Sequence, residues 1–197
     1  MRKDYEIILK LIPENSKVLD IGCSDGELIS YLENKGVSAQ GVELNQEKVI
    51  KCLEKGLDVI HGDINLIVED FPFNQFDYCL LTQTIQAVQK PDQLLNTLKK
   101  VSKNIIVSFN NSARLSKISN FLLSGSFDSL LKKADSDHWY NTDYIHPCSI
   151  KDFKKLAENL DLKIISTFDV FNQRKFENGK IPSNLFCKEV LFHITDE

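Results

Sequence analysis

A mostly parallel α/β sheet of seven strands, with helices on both faces and an antiparallel hairpin at its end, is the fold this chain predicts. Three observations predict it. The apolar run Val18 to Ile21, the turn Gly22-Cys-Ser-Asp-Gly26 and a helical pattern led by Leu28, Ile29 and Leu32 make a strand, a glycine turn and a helix in succession. Five short β-type runs, of which Val18 to Ile21 is the first, alternate with helical patterns, which argues a parallel sheet covered on both sides. Two further β-rich runs, 162–171 and 185–195, enclose a polar loop and no helix, so they should pair antiparallel.

In order, Asp4 is placed to cap a first helix with Ile7, Ile8 and Leu11 on one face, stopped by Pro13. The helix after the glycine turn closes at Lys35-Gly36, a C-terminus signal. Ala39 to Leu44 is the second strand, and Asn45 caps the following helix, which carries Val49, Ile50 and Leu53. Leu57–His61, Phe76–Leu81 and Asn104–Phe109 are strands three to five. A helix opened by Pro91, with Leu94, Leu95, Leu98 and Val101 inward, separates the last two. Residues 110–147 hold no strand of comparable strength and read as an insertion of loops and short helices. Its Phe121, Leu122, Leu123, Phe127, Leu130 and Leu131 either cap the main core or mark a partner surface. Ser149-Ile-Lys-Asp152 is a capping box for a helix with Phe153, Leu156, Ala157 and Leu160 inward.

A chain of 197 residues favours one domain, here 1–197, that buries roughly two thirds of its unfolded surface. The net charge of −4 and a pI near 5.6 do not indicate a nucleic-acid-binding face. No apolar run reaches the ~18 residues needed to span a bilayer, so no membrane is expected. Met1-Arg-Lys-Asp leads into an amphipathic helix without a signal-peptide core. Five scattered cysteines without a Cys-x-x-Cys pair read as thiols in a reducing cytoplasm. Four histidines show no metal-ligand spacing.

Charge decides which ligand the glycine turn suits. A pyrophosphate reader wants Gly-x-Gly-x-x-Gly, with bare N–H groups facing the phosphates. Counting from Gly22, the second and third positions are Ser24 and Glu27, so that fingerprint fails twice. Asp25 at the helix entrance and Asp20 inside the strand would repel a diphosphate, which weighs against a nicotinamide-dependent oxidoreductase. The spacing Asp20-x-Gly22-x-Ser24-x-Gly26 resembles motif I of the class I S-adenosylmethionine (SAM) methyltransferases, with Ser24 in place of the middle glycine. SAM carries an ammonium and a sulfonium and no phosphate, which fits the acids. The resemblance implies a Rossmann-like class I methyltransferase fold, a mostly parallel seven-stranded sheet.

Glu43 follows Asp20 by 23 residues, at the carboxyl end of the neighbouring strand, where a carboxylate can accept hydrogen bonds from both ribose hydroxyls. A solvated loop acid is the plainer reading, and the glycine turn spaced before it favours the ribose. Asp63 resembles the acid that hydrogen-bonds the adenine amino group in this superfamily; otherwise it is a turn residue. Leu44 and Ile64 could sandwich the adenine ring, and Thr82 and Gln83 line the same crevice at the end of strand four. Methyl transfer from a sulfonium needs alignment and exclusion of water before it needs any reactive side chain. No residue earns a catalytic label. Cys79 reads as a core thiol. Thr82-Gln-Thr-Ile-Gln86 lacks the Asn/Asp-Pro-Pro-Tyr/Phe pattern of amino-methylating enzymes. His138-Trp-Tyr-Asn-Thr-Asp-Tyr-Ile-His146 is either a lid or substrate wall, or a small core of its own.

Taken together, Arg2-Lys-Asp-Tyr-Glu-Ile-Ile8, Val18–Leu28, Gly41-Val-Glu43, Gln83-Thr-Ile-Gln-Ala87, Trp139-Tyr-Asn-Thr142 and Ile145–Phe153 resemble the methionine biosynthesis protein MetW family. Asn110-Asn111-Ser in place of Pro-Asn-Phe, and Pro147, depart from its pattern. The resemblance implies a methyltransferase-like fold in methionine synthesis that supports homoserine O-acyltransferase as a partner subunit, with SAM or S-adenosylhomocysteine as cofactor. SAM lies downstream of methionine, so a SAM-binding regulator would give that pathway feedback. A small-molecule methyltransferase using the same pocket is the alternative.

Overall fold

A computed structural model gives the fold and describes residues 1–67, 70–127, 146–176 and 184–196. The elements run α1 (Lys3–Leu11), β1 (Lys17–Ile21), α2 (Glu27–Asn34), β2 (Ser38–Glu43), α3 (Gln46–Glu54), β3 (Val59–His61) and α4 (Ile64–Ile67). There follow β4 (Phe76–Thr82), α5 (Pro91–Val101), β5 (Ser102–Asn110), α6 (Leu115–Ser124), α7 (Ile150–Asn159), β6 (Lys163–Asp169), β7 (Arg174–Phe176) and β8 (Glu189–Thr195). The sheet order is β3-β2-β1-β4-β5-β8-β6-β7. Pairing from β3 across to β5 is parallel, and β8 inserts antiparallel between β5 and β6. This is the doubly wound sheet with an antiparallel C-terminal hairpin that the pattern of runs predicts.

Local chemistry explains most element boundaries. Asn45 accepts a hydrogen bond from Lys48 N at the start of α3, and the Ser149–Asp152 capping box opens α7 with both of its reciprocal bonds. Three details differ from expectation. The sheet has eight strands, because Arg174–Phe176 folds back onto the end of β6 as a short edge strand inside the supposed loop. The last strand begins at Glu189, since Leu185 turns away to accept the amide of Leu115 at 2.7 Å. Asp4 does not cap α1; Arg2 is the N-cap, and Asp4 is buried in the first turn, bonded to Arg2 and Ser108.

Strand pleating divides the core in two. Leu19, Ile21, Cys79, Leu81, Ile105, Val107, Phe109, Val190 and Phe192 face α5 and α7. Phe109, Phe153 and Phe192 meet there with centroid separations of 4.8 to 6.0 Å, locking α7 onto the antiparallel half. Val18, Leu80, Ile106 and Leu191 face α1 and α2. On this second face the next position towards the carboxyl ends of β1, β4 and β5 is polar: Asp20, Thr82 and Ser108. Glu189, at the start of antiparallel β8, occupies the same end and face. Four neighbouring strands therefore exchange apolar for polar side chains on one face towards one edge of the sheet, next to the reversal of strand order at β1 and β4. They step outward from Asp20 beside Leu80, through Thr82 beside Ser108, to Glu189 beside Asn110.

Within the insertion, Leu122, Leu123 and Phe127 are exposed, while Leu130, Leu131 and 138–145 of the aromatic cluster lie outside the described residues. The interior thiols behave as core. Cys79 is fully buried, and burial pushes its thiol up to about 12. At the foot of α2, Gly26 has φ +74°, and a Cβ there would lie 2.4 Å from Leu57 Cδ1 and 3.0 Å from Cys52 Sγ. Gly26→Ala is expected to cost about 1–3 kcal/mol from overpacking, read as a lower urea midpoint with unchanged m-value.

Candidate functional site

The candidate site grows from the turn after β1. Gly22 and Cys23 both donate to Val42 O, at 2.8 and 3.2 Å, which lashes the turn to β2. Glu43 then fastens it from the side. One carboxylate oxygen accepts the Ser24 amide at 2.8 Å and the other accepts the Asn45 amide at 2.8 Å. Glu43 thus orders both the glycine turn and the entry to α3, and each oxygen retains a lone pair for a further donor. Ser24 stands at φ 55°, the left-handed conformation that a glycine would take without strain. The serine keeps the motif's backbone path at a conformational cost.

Across the crevice, Thr84 packs onto Gly22. A Cβ on Gly22 would meet Thr84 Oγ1 at 2.8 Å, and the same hydroxyl donates to Ile21 O at 3.0 Å. Gln83 follows β4 at φ 61°, donates to Glu189 Oε1 at 2.7 Å and accepts from Asn110 at 2.8 Å. Strained residues therefore flank the crevice on both sides. Asp63 closes the β3 end of the row: its Oδ1 accepts from the Asn65 amide and side chain at 2.9 and 2.6 Å. Ile64 is buried beside it, whereas Leu44 is 65% exposed. Asp20, Gly22, Ser24, Gly26, Glu43, Leu44, Asp63, Ile64, Thr82 and Gln83 all fall at or beyond the carboxyl ends of β1 to β4, so the fold brings the expected set to one edge.

Asp20 dominates the electrostatics. Its side chain is 1% exposed, and Oδ1 has no hydrogen-bond partner among the described residues. Burial pushes its carboxyl up to about 7; Arg2 opposes the shift, and Asp4 and Glu43 add to it. Glu189 is likewise pushed up to about 7, by burial first and by Asp4 next. Such a site can accept cations and hydroxyl donors, and it repels phosphate.

Several members were missed by reading the sequence. Asp4 is buried and bonded to Arg2 at 2.6 Å and to Ser108 Oγ at 3.1 Å, and Arg2 Nη1 reaches Tyr5 OH at 3.1 Å. Glu189 and Asn110 join through Gln83. Gln86 is buried, and its backbone carbonyl accepts the His146 amide at 3.0 Å, tying the β4–α5 loop to the segment before α7. Arg2 to Tyr5 and Gln86 stood inside family-like blocks, which was the available signal. Nothing around Glu189 distinguished it from any strand-end acid.

The raised carboxyls make a stability prediction. Between pH 4 and 7 the unfolded chain ionises Asp20 while the folded chain holds its proton, so the unfolded state binds fewer protons and stability falls as pH rises. Asp20→Asn removes this contribution. At pH 7.5 the variant is expected to be more stable than the parent by on the order of 3 kcal/mol, with the gap narrowing towards pH 5, read by thermal melts across that range.

Comparison with known proteins gives this geometry its relatives. The family model described as methionine biosynthesis protein MetW matches residues 2–194. A bifunctional methionine biosynthesis protein MetXA/MetW from Rhodopirellula baltica is 31% identical over 202 residues, covering 96% of this chain and 32% of that protein. The chain thus spans about a third of that relative's length. Among solved structures, a SAM-dependent methyltransferase from Methanosarcina mazei superposes with a TM-score of 0.70 at 16% identity, covering 96% of each chain. A TehB-like SAM-dependent methyltransferase from Corynebacterium glutamicum gives 0.66 at 14% identity, covering all of this chain and 89% of the other. The sheet is that of the class I methyltransferases, and with the family model spanning nearly all of its length the chain belongs to the methionine biosynthesis protein MetW family.

Proposed function

We propose that the protein binds SAM, or S-adenosylhomocysteine, in the crevice beyond β1 to β4 and acts in methionine biosynthesis as a partner of homoserine O-acyltransferase. The observation that carries the SAM reading is Asp20: a buried carboxylate with an orphaned oxygen at the glycine turn suits a cationic ligand and opposes a dinucleotide. The other donors fit the same molecule. Glu43 would hold the ribose hydroxyls and Asp63 the adenine amino group. Leu44 and Ile64 would face the adenine ring, and Thr82 and Gln83 would line the crevice beside the turn. Gly22 lets the Thr84 side chain pack against the turn and hold its backbone in place. When bound, SAM would supply an electrophilic methyl group or act as a signal of pathway output. This chain's residues would bind and orient it and keep water from its sulfonium.

The partner half of the reading is supported by the relative in which MetXA and MetW parts share one chain. Covalent linkage between two proteins raises their effective concentration for one another, which profits a pair that works together. We take the chain to act as one SAM-binding domain, 1–197, carrying its insertion at 110–147, and to work in the cytoplasm. Among the described residues no helix is long and apolar enough to cross a membrane. An active small-molecule methyltransferase is the second reading, favoured by the methyltransferase neighbours of the fold.

Titration of the purified protein should show saturable binding of SAM and none of NAD. Glu43→Ala should weaken SAM by about 1.5–3 kcal/mol, the range for hydrogen bonds to a charged group; unchanged affinity would put the ribose elsewhere. Tagged protein should also retain the acyltransferase of its own cell, whose activity should respond to saturating SAM. Methyl turnover on a metabolite panel, with no acyltransferase retained, would decide for the second reading.

A further inference from the structure

From α6 and the antiparallel half of the sheet we infer a docking surface for an acidic protein face. Leu122, Leu123 and Phe186 are its apolar anchors, and Lys3, Arg174 and Lys188 stand among the cations around them. The inference rests on the partner half of the proposed function and deepens it, since it says which side of this chain the acyltransferase would meet. It asks nothing of the crevice beyond β1 to β4.

Apolar area left without cover comes first. α6 has ten residues, five of them Leu, Ile or Phe, and none is buried. A helix so short is marginal in water unless one face of it packs against something. Leu122 is 75% exposed and Leu123 88%; Phe127, just past the Gly125 cap, is exposed with its ring 5.1 Å from that of Phe121. The root of the helix is nevertheless fixed. Asn111 donates from its side chain to Asn184 O at 2.6 Å and Cys187 O at 2.9 Å, and the Leu115 amide donates to Leu185 O at 2.7 Å. That second segment brings an uncovered ring of its own, Phe186, 72% exposed. The Asn111 amide also donates to Lys188 O at 3.0 Å, and Lys188 lies over the Phe171 ring, so contacts run unbroken from α6 to the β6–β7 turn. Exposed apolar side chains gathered on anchored segments mark a partner site.

Charge says what would cover it. Residues 110–127, 170–176 and 184–188 hold Arg114, Lys117, Arg174, Lys175 and Lys188 and no acid, in a chain whose net charge is −4. Lys3 joins them by donating to Phe171 O at 2.7 Å, and Glu6, bonded to Gln173, stands at the border. Among the described residues none of Lys3, Arg114, Arg174, Lys175 and Lys188 has an ion-pair partner. Four of these cations rest on rings instead. Lys3 and Lys188 lie over Phe171 at 4.5 and 5.4 Å from its centroid, Arg174 over Phe176 at 5.6 Å, and Lys175 over Phe168 at 6.0 Å. Arg114 and Lys117 stand close enough for their like charges to oppose each other. Such a surface suits carboxylates arranged around an apolar centre. A second copy of the chain would set cations against cations across a twofold interface. Nucleic acid would satisfy the cations and leave the apolar anchors in water.

The test uses the full chain and the acyltransferase of its own cell, purified separately and titrated by calorimetry at low and at physiological salt. The parent should bind it, and less tightly as salt rises. Phe186→Asp, and Leu122→Asp combined with Leu123→Asp, should each weaken binding about thirtyfold or more. Lys188→Glu should weaken it several-fold, mainly through slower association. Leu53→Asp, at another exposed leucine on α3 by the opposite edge of the sheet, should bind as the parent does. All these side chains are exposed, so the melting temperatures should match the parent's. Parent-like affinity in both apolar variants overturns the inference and leaves the partner reading standing. So does binding by the parent that salt leaves unchanged, which needs no variant to fold. A parent that dimerises through Phe186, or that holds nucleic acid until Lys188→Glu releases it, overturns it as well. If the parent does not bind the acyltransferase, the partner reading falls and takes this inference with it.

Discussion

An unsatisfied carboxylate inside the sheet is what organises this molecule. Asp20 lies on the central strand, flanked by β2 and β4, and a buried acid there must hold a proton or find a cation. Its neighbours do not neutralise it. Arg2 is already committed to Asp4, and Glu43 is committed to two backbone amides. The folded chain therefore carries a local instability that burial of the surrounding apolar side chains must offset. Ordinary cores avoid such a residue; binding sites retain them, because the energy withheld in the free state returns when a ligand arrives.

The site's geometry follows from how little freedom remains around that acid. Glu43 closes two turns with one side chain, so the entry to α3 and the shape of the glycine turn are mechanically joined. Thr84 rests on Gly22 from the other side, and Gln83 carries the network on to Asn110 and Glu189.

Much of this could be read before any fold was known, and for identifiable reasons. Strand, turn and helix patterns are local: β-branched runs, Gly22 and Gly26, the Asn45 cap and the Ser149–Asp152 box each act within a few residues. Motif I and Glu43 were legible because their spacing is set by one strand–helix–strand unit. The edge strand Arg174–Phe176 was not, since nothing in Arg-Lys-Phe prefers a strand until β6 offers it a partner. Asp4 was misread as a cap because its real role depends on Ser108, over a hundred residues away in sequence.

The chain's own order of residues determined the class of fold, the sign of the site's charge and the elements that supply it. Tertiary structure alone decided which polar residues share a face and an edge. Asp20, Thr82, Ser108 and Glu189 come from strands spread over the whole chain, and only inter-strand pairing gathers them on the α1 side at one edge of the sheet. Pleating repeats every two residues, so a slip of one position would have turned any of these side chains to the opposite face. Long-range hydrogen bonding between strands sets that register, and no local pattern encodes it.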